Sequence, residues 1–363
     1  MFWYLLNIII IVLVWLWPVN INCCDENTYC LYNKIRTKRT CIIGTINWII
    51  LSGFRSWEIG PDTLAYKLYR FDRTLDRSWA EIFADFVLKY KLGEEIKDPG
   101  YPVLEKIFQL FSSDYQLWLV AIAVMFFVPL GIVIYKYSTN AAVSYILFST
   151  LFYSFFAITG HRQTIATAIV VLIGIKYIKE RKLIPFLLLE LVASTIHMSA
   201  LCFLPFYWLS KIKINTKSLT IYWIGIIVAY LGRNQFLTLL QRLIGYEEYV
   251  QAEGARAGTF LYLLILLAII VTVFYQRFDV ENQITRIAIN ALMIACVFSP
   301  LLLINQSCMR VIQYFSLFLL ILLPDVFDLF EPGRSRNISI FIASALMIIL
   351  LISNNPVYNF VFL

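Results

Sequence analysis

Apolar runs near or above the roughly 20 residues that an α-helix needs to cross a bilayer recur along most of the chain, among them 2–19, 115–136 and 259–276. No other feature narrows the possible folds as far. Of the 363 residues 60% are hydrophobic and 15% charged, where soluble domains run about 45–50% and about 25%. That balance excludes a disordered chain and argues strongly against a soluble globular enzyme. The chain reads as an all-α polytopic membrane protein.

Helices are expected near 2–19, 41–54, 115–136, 141–159, 163–178, 183–197, 198–210, 219–232, 259–276, 286–304, 308–323 and 338–352, which makes about twelve transmembrane helices. Several are short, as tilted, paired or re-entrant segments are. No internal repeat or low-complexity linker divides the chain, so 1–363 reads as a single integral membrane domain. The start, Phe2-Trp3-Tyr4, has no basic region and no small-x-small cleavage site precedes Asn22, so 2–19 reads as a retained first span. Cys202, Cys296 and Cys308 lie in or beside apolar runs as small hydrophobes. Cys23, Cys24, Cys30 and Cys41 have neither an accompanying His nor the spacing of zinc knuckles, and read as structural thiols rather than a metal site.

The net charge of +7 acquires meaning once it is sorted by loop. The loops 20–40, 136–140, 176–182, 211–217, 277–286 and 324–337 fall on one side of a twelve-span chain and are crowded with Lys and Arg. The positive-inside rule assigns them to the cytoplasm. The other side receives a long loop, 55–113, a second one, 233–258, tight turns at Arg162 and Arg310, and both termini. Within the long loop, Trp79, Ile82, Phe83, Phe86, Val87 and Tyr90 follow helical spacing between Thr74 and Leu92, as do Val103, Leu104, Ile107, Phe108 and Phe111 after Pro102. These predict amphipathic helices along the outer membrane boundary, either roofing a cavity among the spans or packing on their neighbours for stability.

Ionisable residues at membrane depth are costly and ask for a partner or a task. Arg55, Asp62, Tyr66, His161, Arg162, Gln163, His197, Gln306, Arg310 and Tyr314 all gather at the outer leaflet in this topology. Arg matches phosphate oxygens with a planar fork of donors, and His titrates near neutrality. Three arginines beside one cavity suit a diphosphate, and with no aspartate-rich metal motif present, cationic side chains would do what a divalent metal often does for a leaving phosphate. Each has a duller reading. Arg55 and Arg310 can be snorkelling span ends, Asp62 a helix N-cap, and His161 a turn residue. Glu190, seven residues before His197 on one helix face, either lines the same cavity or pairs with a cation.

At these residues the chain resembles the EpsG/Wzy-type polysaccharide polymerases, which include O-antigen polymerases. The likeness runs from about 40 to 320. It rests on Gly53-Phe54-Arg55 with Gly60-Pro61-Asp62-Thr63-Leu64-Ala65-Tyr66, Asp98-Pro99-Gly100-Tyr101-Pro102-Val103-Leu104, Arg162-Gln163-Thr164-Ile165-Ala166, His197-Met198-Ser199-Ala200-Leu201, and Arg310 with Tyr314-Phe315. Asp98 stands where the family pattern has Glu. The resemblance implies a GT-C-like membrane glycosyltransferase at the periplasmic face of the bacterial inner membrane, in polysaccharide or lipopolysaccharide biosynthesis. It would transfer a growing glycan from undecaprenyl diphosphate en bloc to the non-reducing end of a lipid-linked repeat unit. Arg55, Arg162 and Arg310 would then hold the departing diphosphate, and His197, or else Asp62, would take the proton of the attacking hydroxyl. Gln163 and Tyr314 would orient phosphate or sugar oxygens, and Tyr66, Trp57 and Tyr101 would offer stacking faces. No metal or other cofactor and no nucleic acid are implied; membrane lipids and a separate chain-length regulator are the expected partners.

Two other functions compete. An O-antigen ligase uses the same donor, but would carry its larger outer loop late in the chain, where here it comes early. A lipid-linked oligosaccharide flippase or other transporter would place polar groups along a path through both leaflets; here, Glu190 apart, they sit on one side.

Overall fold

The computed structural model describes residues 1–19, 26–60, 62–244 and 258–362. Cys23, Cys24, Pro61 and residues 245–257 of the expected loop 233–258 lie outside them. The described residues are helical almost throughout, and the one β-like feature among them is an isolated antiparallel bridge between Arg55 and Phe360.

Each expected span falls on helical residues, but 41–54 is the end of a longer helix, Glu26–Gly53, which takes in most of the expected loop 20–40, and 308–323 is divided among Gln306–Cys308, Met309–Ser316 and Leu319–Phe327. Four rods are long and apolar enough to cross a membrane: Tyr115–Tyr137, Thr259–Arg277, Gln283–Leu303 and Arg334–Ser353. Six qualify if each of two bent pairs is one span, Thr216–Leu231 with Arg233–Leu240 (bent by 89°) and Gln306–Ser316 with Leu319–Phe327 (62°). Other apolar rods, such as Leu183–Ile196 and Met198–Leu209, are shorter.

Burial sorts the rods into centre and rim. The most apolar window of Gln283–Leu303 is 78% buried within the protein, that of Arg334–Ser353 only 6%. The rim helix exposes Phe341, Ile342, Leu346 and Ile349, a face that no described residue covers and that suits lipid. Close helix approach depends on small residues: a Cβ on Gly131 would meet Thr45 Oγ1 at 2.2 Å, so Glu26–Gly53 and Tyr115–Tyr137 pack almost backbone to backbone. Trp48 stacks on Phe127 at 5.7 Å and Phe126 on Phe156 at 4.9 Å across the same core.

Contacts define two ends. At one, Lys136, Lys179 and Arg277 meet Asp279, Asp325 and Asp328 around a 440 Å³ cavity. At the other, the 53–66 segment is stitched to its neighbours: Gln116 Nε2 donates to the Gly53 and Arg55 carbonyls, Tyr115 Oη to that of Thr63, and Ser52 Oγ to that of Ala157. Both chain ends come to this second end. Met1 donates its amine to the Pro356 carbonyl, Ser56 N–H to Asn359 and Val361 N–H to Phe54.

The segment 63–109 lies over this end as short helices. The first expected amphipathic stretch is broken at Arg77. Its helix, Trp79–Leu92, starts at a Ser78–Glu81 capping box and ends at Gly93 with φ +75°. Of its apolar face only Ile82 is buried, while Phe83, Val87, Tyr90 and Leu92 are exposed. The second helix, Gly100–Gln109, buries Gly100, Tyr101, Pro102 and Glu105 and leaves Ile107 exposed. Its inward side thus carries a carboxyl, and the expected apolar stripe is only partly turned to the protein.

Candidate functional site

Leu183–Ile196 has 14 residues, a rise of about 21 Å, short of the roughly 30 Å of a bilayer core. The chain turns at His197, in extended backbone (φ −153°), and descends again through Met198–Phe203. Over this sunken turn sits the start of Gly100–Gln109. A Cβ on Gly100 would fall 2.2 Å from Thr195 Oγ1 and 2.9 Å from the Thr195 backbone, so only glycine lets the roof helix come so near. That docking carries Asp98, at φ +52°, a conformation Asp tolerates better than most residues, into the turn.

Asp98 is 2% exposed and its carboxylate is fully engaged. Oδ1 accepts the Met198 N–H at 3.0 Å; Oδ2 accepts His197 Nδ1 at 3.2 Å and an Arg162 guanidinium N–H. Burial pushes this carboxyl up, but the hydrogen bond from His197, the charge of Arg162 and the Met198 N–H hold it below its ordinary value. An ionised Asp98 fixes the proton of a neutral His197 on Nδ1, which makes Nε2 the basic nitrogen.

Around His197 opens a cavity of 260 Å³ lined by Asp62, Tyr66, Arg70, Arg162, Gln163 and Arg310, with Tyr69, Phe155 and Gly160 among the rest. Arg162 Nε donates to Tyr66 Oη at 2.9 Å, and Gln163 Nε2 to the Arg310 carbonyl. The half-buried Arg310 guanidinium makes no hydrogen bond or ion pair with a described residue, so its donors face the cavity. Asp62 is exposed and occupies the N-cap position of Thr63–Tyr66 without its side chain capping it. Three guanidinium groups against one uncommitted carboxylate make this an anion-binding hollow.

The structure thus brings Asp62, Tyr66, Arg162, Gln163, His197 and Arg310 together. It leaves Arg55 out. That side chain is 2% exposed and spends its donors on the Ser52 and Ile158 carbonyls and on His161 Nε2 at 3.0 Å. His161, expected in a turn, is buried and lies against the Tyr66 ring at 4.5 Å. Tyr101 is fully buried, its Oη accepting from Trp118 Nε1, and Tyr314 is fully buried with its Oη against Ser199 Oγ. Neither presents a face to a ligand, because each fills the packing behind the cavity. Trp57 is half-buried and outside the lining. Glu190 is 2% exposed, yet neither oxygen has a hydrogen-bond partner and it lines no part of the cavity.

The sequence reading misses one residue of the lining, Arg70, though it is legible in principle, since it follows Tyr66 by four residues. Asp98 is singled out there only as part of the family motif, without a role. Among the described residues no group of three or more His, Cys, Asp or Glu side chains is placed to hold a metal ion, and the described cysteines, Cys30, Cys41, Cys202, Cys296 and Cys308, are free thiols.

No curated protein and no solved structure matches the chain. The family model described as the EpsG family matches residues 38–362, which takes in the 53–66 segment, Asp98, the 161–163 turn, His197 and Arg310. On a match of that extent, this chain belongs to the EpsG family.

Proposed function

We propose that the protein is a membrane polysaccharide polymerase of about twelve spans, GT-C-like in plan. It transfers a growing glycan from undecaprenyl diphosphate en bloc to the non-reducing end of a lipid-linked repeat unit. Family membership supports a polymerase-like activity. The observation that carries the rest is the shared cavity of His197, Arg162 and Arg310, with His197 aligned by Asp98.

In this reading the acceptor hydroxyl lies against His197 Nε2. Its oxygen attacks the anomeric carbon of the donor as the bond from that carbon to the diphosphate oxygen breaks. The proton passes to Nε2, and the bonding electron pair leaves with undecaprenyl diphosphate. Charge grows on the departing oxygen, and Arg162, Arg310 and Arg70 are placed to stabilise it. Asp98 keeps the imidazole in the correct tautomer and favours the imidazolium that forms. The cavity lies at the end of the bundle opposite Lys136, Lys179 and Arg277. With those cations cytoplasmic, the reaction faces the periplasm of the inner membrane, where the exposed side of Trp79–Leu92 lies along the lipid headgroups.

The decisive experiment deletes the gene and resolves the cell's surface glycan on a gel. A single-repeat band in place of a ladder is expected, with the ladder restored by wild-type protein and not by His197→Ala. An unchanged ladder after deletion sinks the reading, and repeat units trapped on the cytoplasmic side point to a flippase instead.

A further inference from the structure

Beside the first cavity lies a larger one of 620 Å³, and the two share Phe155 and Arg310. Its volume falls in the range of about 300–1,000 Å³ typical of ligand pockets. One wall is the rod 141–159 where it winds wider than an α-helix, in π-turns over Phe148–Phe152 and Ser154–Thr159, a departure that recurs at functional sites. The opposite wall is Met309–Ser316, and the rim is closed by the ends of Gly258–Phe274 and Arg334–Ser353.

Among the described residues Arg310 is the sole charged one in the lining. Ser154, Thr159, Gln306, Gln313 and Asn354 supply hydroxyls and amides, and Tyr153 supplies a ring. Gln313 is 5% exposed, and its Oε1 accepts no hydrogen bond from a described residue. A buried acceptor without a donor is costly and calls for a missing partner. It stands three residues after Arg310, on the same helix face, so one helix presents a cation and a neutral amide side by side. An acyl chain has no use for amides, and a second phosphate would need more cations. Uncharged sugar rings, with hydroxyls that donate and accept and with apolar faces, match this lining.

We propose that this second cavity is a sugar subsite, which holds an uncharged ring of the lipid-linked glycan on one side of Arg310 while the diphosphate lies on the other. The proposal rests on the polymerase reading and adds where the glycan sits.

The test uses full-length protein in nanodiscs and two probes titrated separately by calorimetry: inorganic pyrophosphate, and the oligosaccharide released by mild acid from the cell's own lipid-linked repeat. Gln313→Leu is expected to weaken oligosaccharide binding about tenfold, the effect of one lost hydrogen bond, and to leave pyrophosphate within about twofold. Arg162→Ala is expected to do the reverse. Ser154→Trp, at an exposed lip of the cavity, blocks the oligosaccharide without removing a buried group. Normal oligosaccharide binding by both cavity variants overturns the proposal, as does equal loss of both probes. A repeat trimmed of its non-reducing sugar separates the sources. Full competition assigns the ring to the donor's reducing end, and lost competition to the acceptor. Failure of the subsite alone leaves wild-type pyrophosphate binding and the deletion phenotype intact, whereas failure of the polymerase reading removes that phenotype.

Discussion

Two arginine–imidazole pairs stand at the same end of the bundle. Arg55 with His161 and Arg162 with His197 are alike in composition, and in each pair the imidazole is 3% exposed. Their surroundings differ. Arg55 engages two carbonyls and an imidazole through its two terminal nitrogens, has no carboxylate of a described residue in contact, and joins the end of Glu26–Gly53 to the turn at 158–161. Arg162 and His197 are bridged by Asp98 and face a cavity. The lesson is that a cation beside an imidazole has no fixed role. A shared carboxylate and an open face fit Arg162 and His197 for the proposed chemistry, while backbone carbonyls on the terminal nitrogens of Arg55 make the other pair a strut.

The sharpest way to break this contrast is to remove each imidazole. His197→Ala is expected to cut polymerisation by about 10²–10⁴-fold, the usual contribution of a general base, with the protein still folded in the membrane. His161→Ala should act first on thermal stability; if it matches His197→Ala in rate at normal stability, the division into reactive pair and strut is wrong. Asp98→Asn keeps the shape but removes the charge, and a loss of about 10²-fold in turnover is expected. Asp98→Glu, which keeps the carboxylate, should remain within about tenfold of wild type in the same single-turnover assay.

Smaller effects sharpen the picture. Arg55→Lys leaves part of the carbonyl network unmade and should destabilise by about 1–3 kcal/mol, read as a lower melting temperature in detergent with rate per folded molecule retained. Gly100→Ala pushes the roof off Thr195 at a cost of about 1–3 kcal/mol and should lower turnover as well, because Asp98 moves with it.

The smallest expected effect is one of pH. Burial raises the Glu105 carboxyl from its ordinary 4.5 to about 8, against the hydrogen bond from Thr74 and the charge of Arg70. The native state therefore holds this proton more tightly than the unfolded chain. Its contribution to stability is full below 4.5 and is lost as pH rises through the window up to about 8. Glu105→Gln should flatten that decline, and an unchanged slope of melting temperature against pH would show that the carboxyl is not buried in this way.

The helical plan was readable because apolar runs and cationic loops repeat along the chain, and because Arg162, Gln163, His197 and Arg310 are rare polar residues beside apolar ones. What escaped was depth and pairing. Arg55 points inward because carbonyls at Ser52 and Ile158 are there to receive it, and one of these lies 103 residues away in the chain. Tyr101 looked like a stacking face and Tyr314 like a group to orient ligand oxygens, yet aromatic residues fill cores as readily as they line sites. The partnership of Asp98 with His197, separated by 99 residues, depends on the missing side chain of Gly100 and follows no helical period. The π-turns that widen the second cavity leave no periodic mark either.

The aromatic ladder of Trp79–Leu92, with Phe83 and Tyr90 exposed and Trp79 and Phe86 half-buried, has a mechanical consequence. Trp79, Phe83, Phe86 and Tyr90 form a continuous run of ring contacts, and aromatic rings settle at the headgroup level. In the proposed orientation the ladder anchors the roof at the level of the lipid phosphates, while the 14-residue rod Leu183–Ile196 fixes the depth of the turn at His197 beneath it.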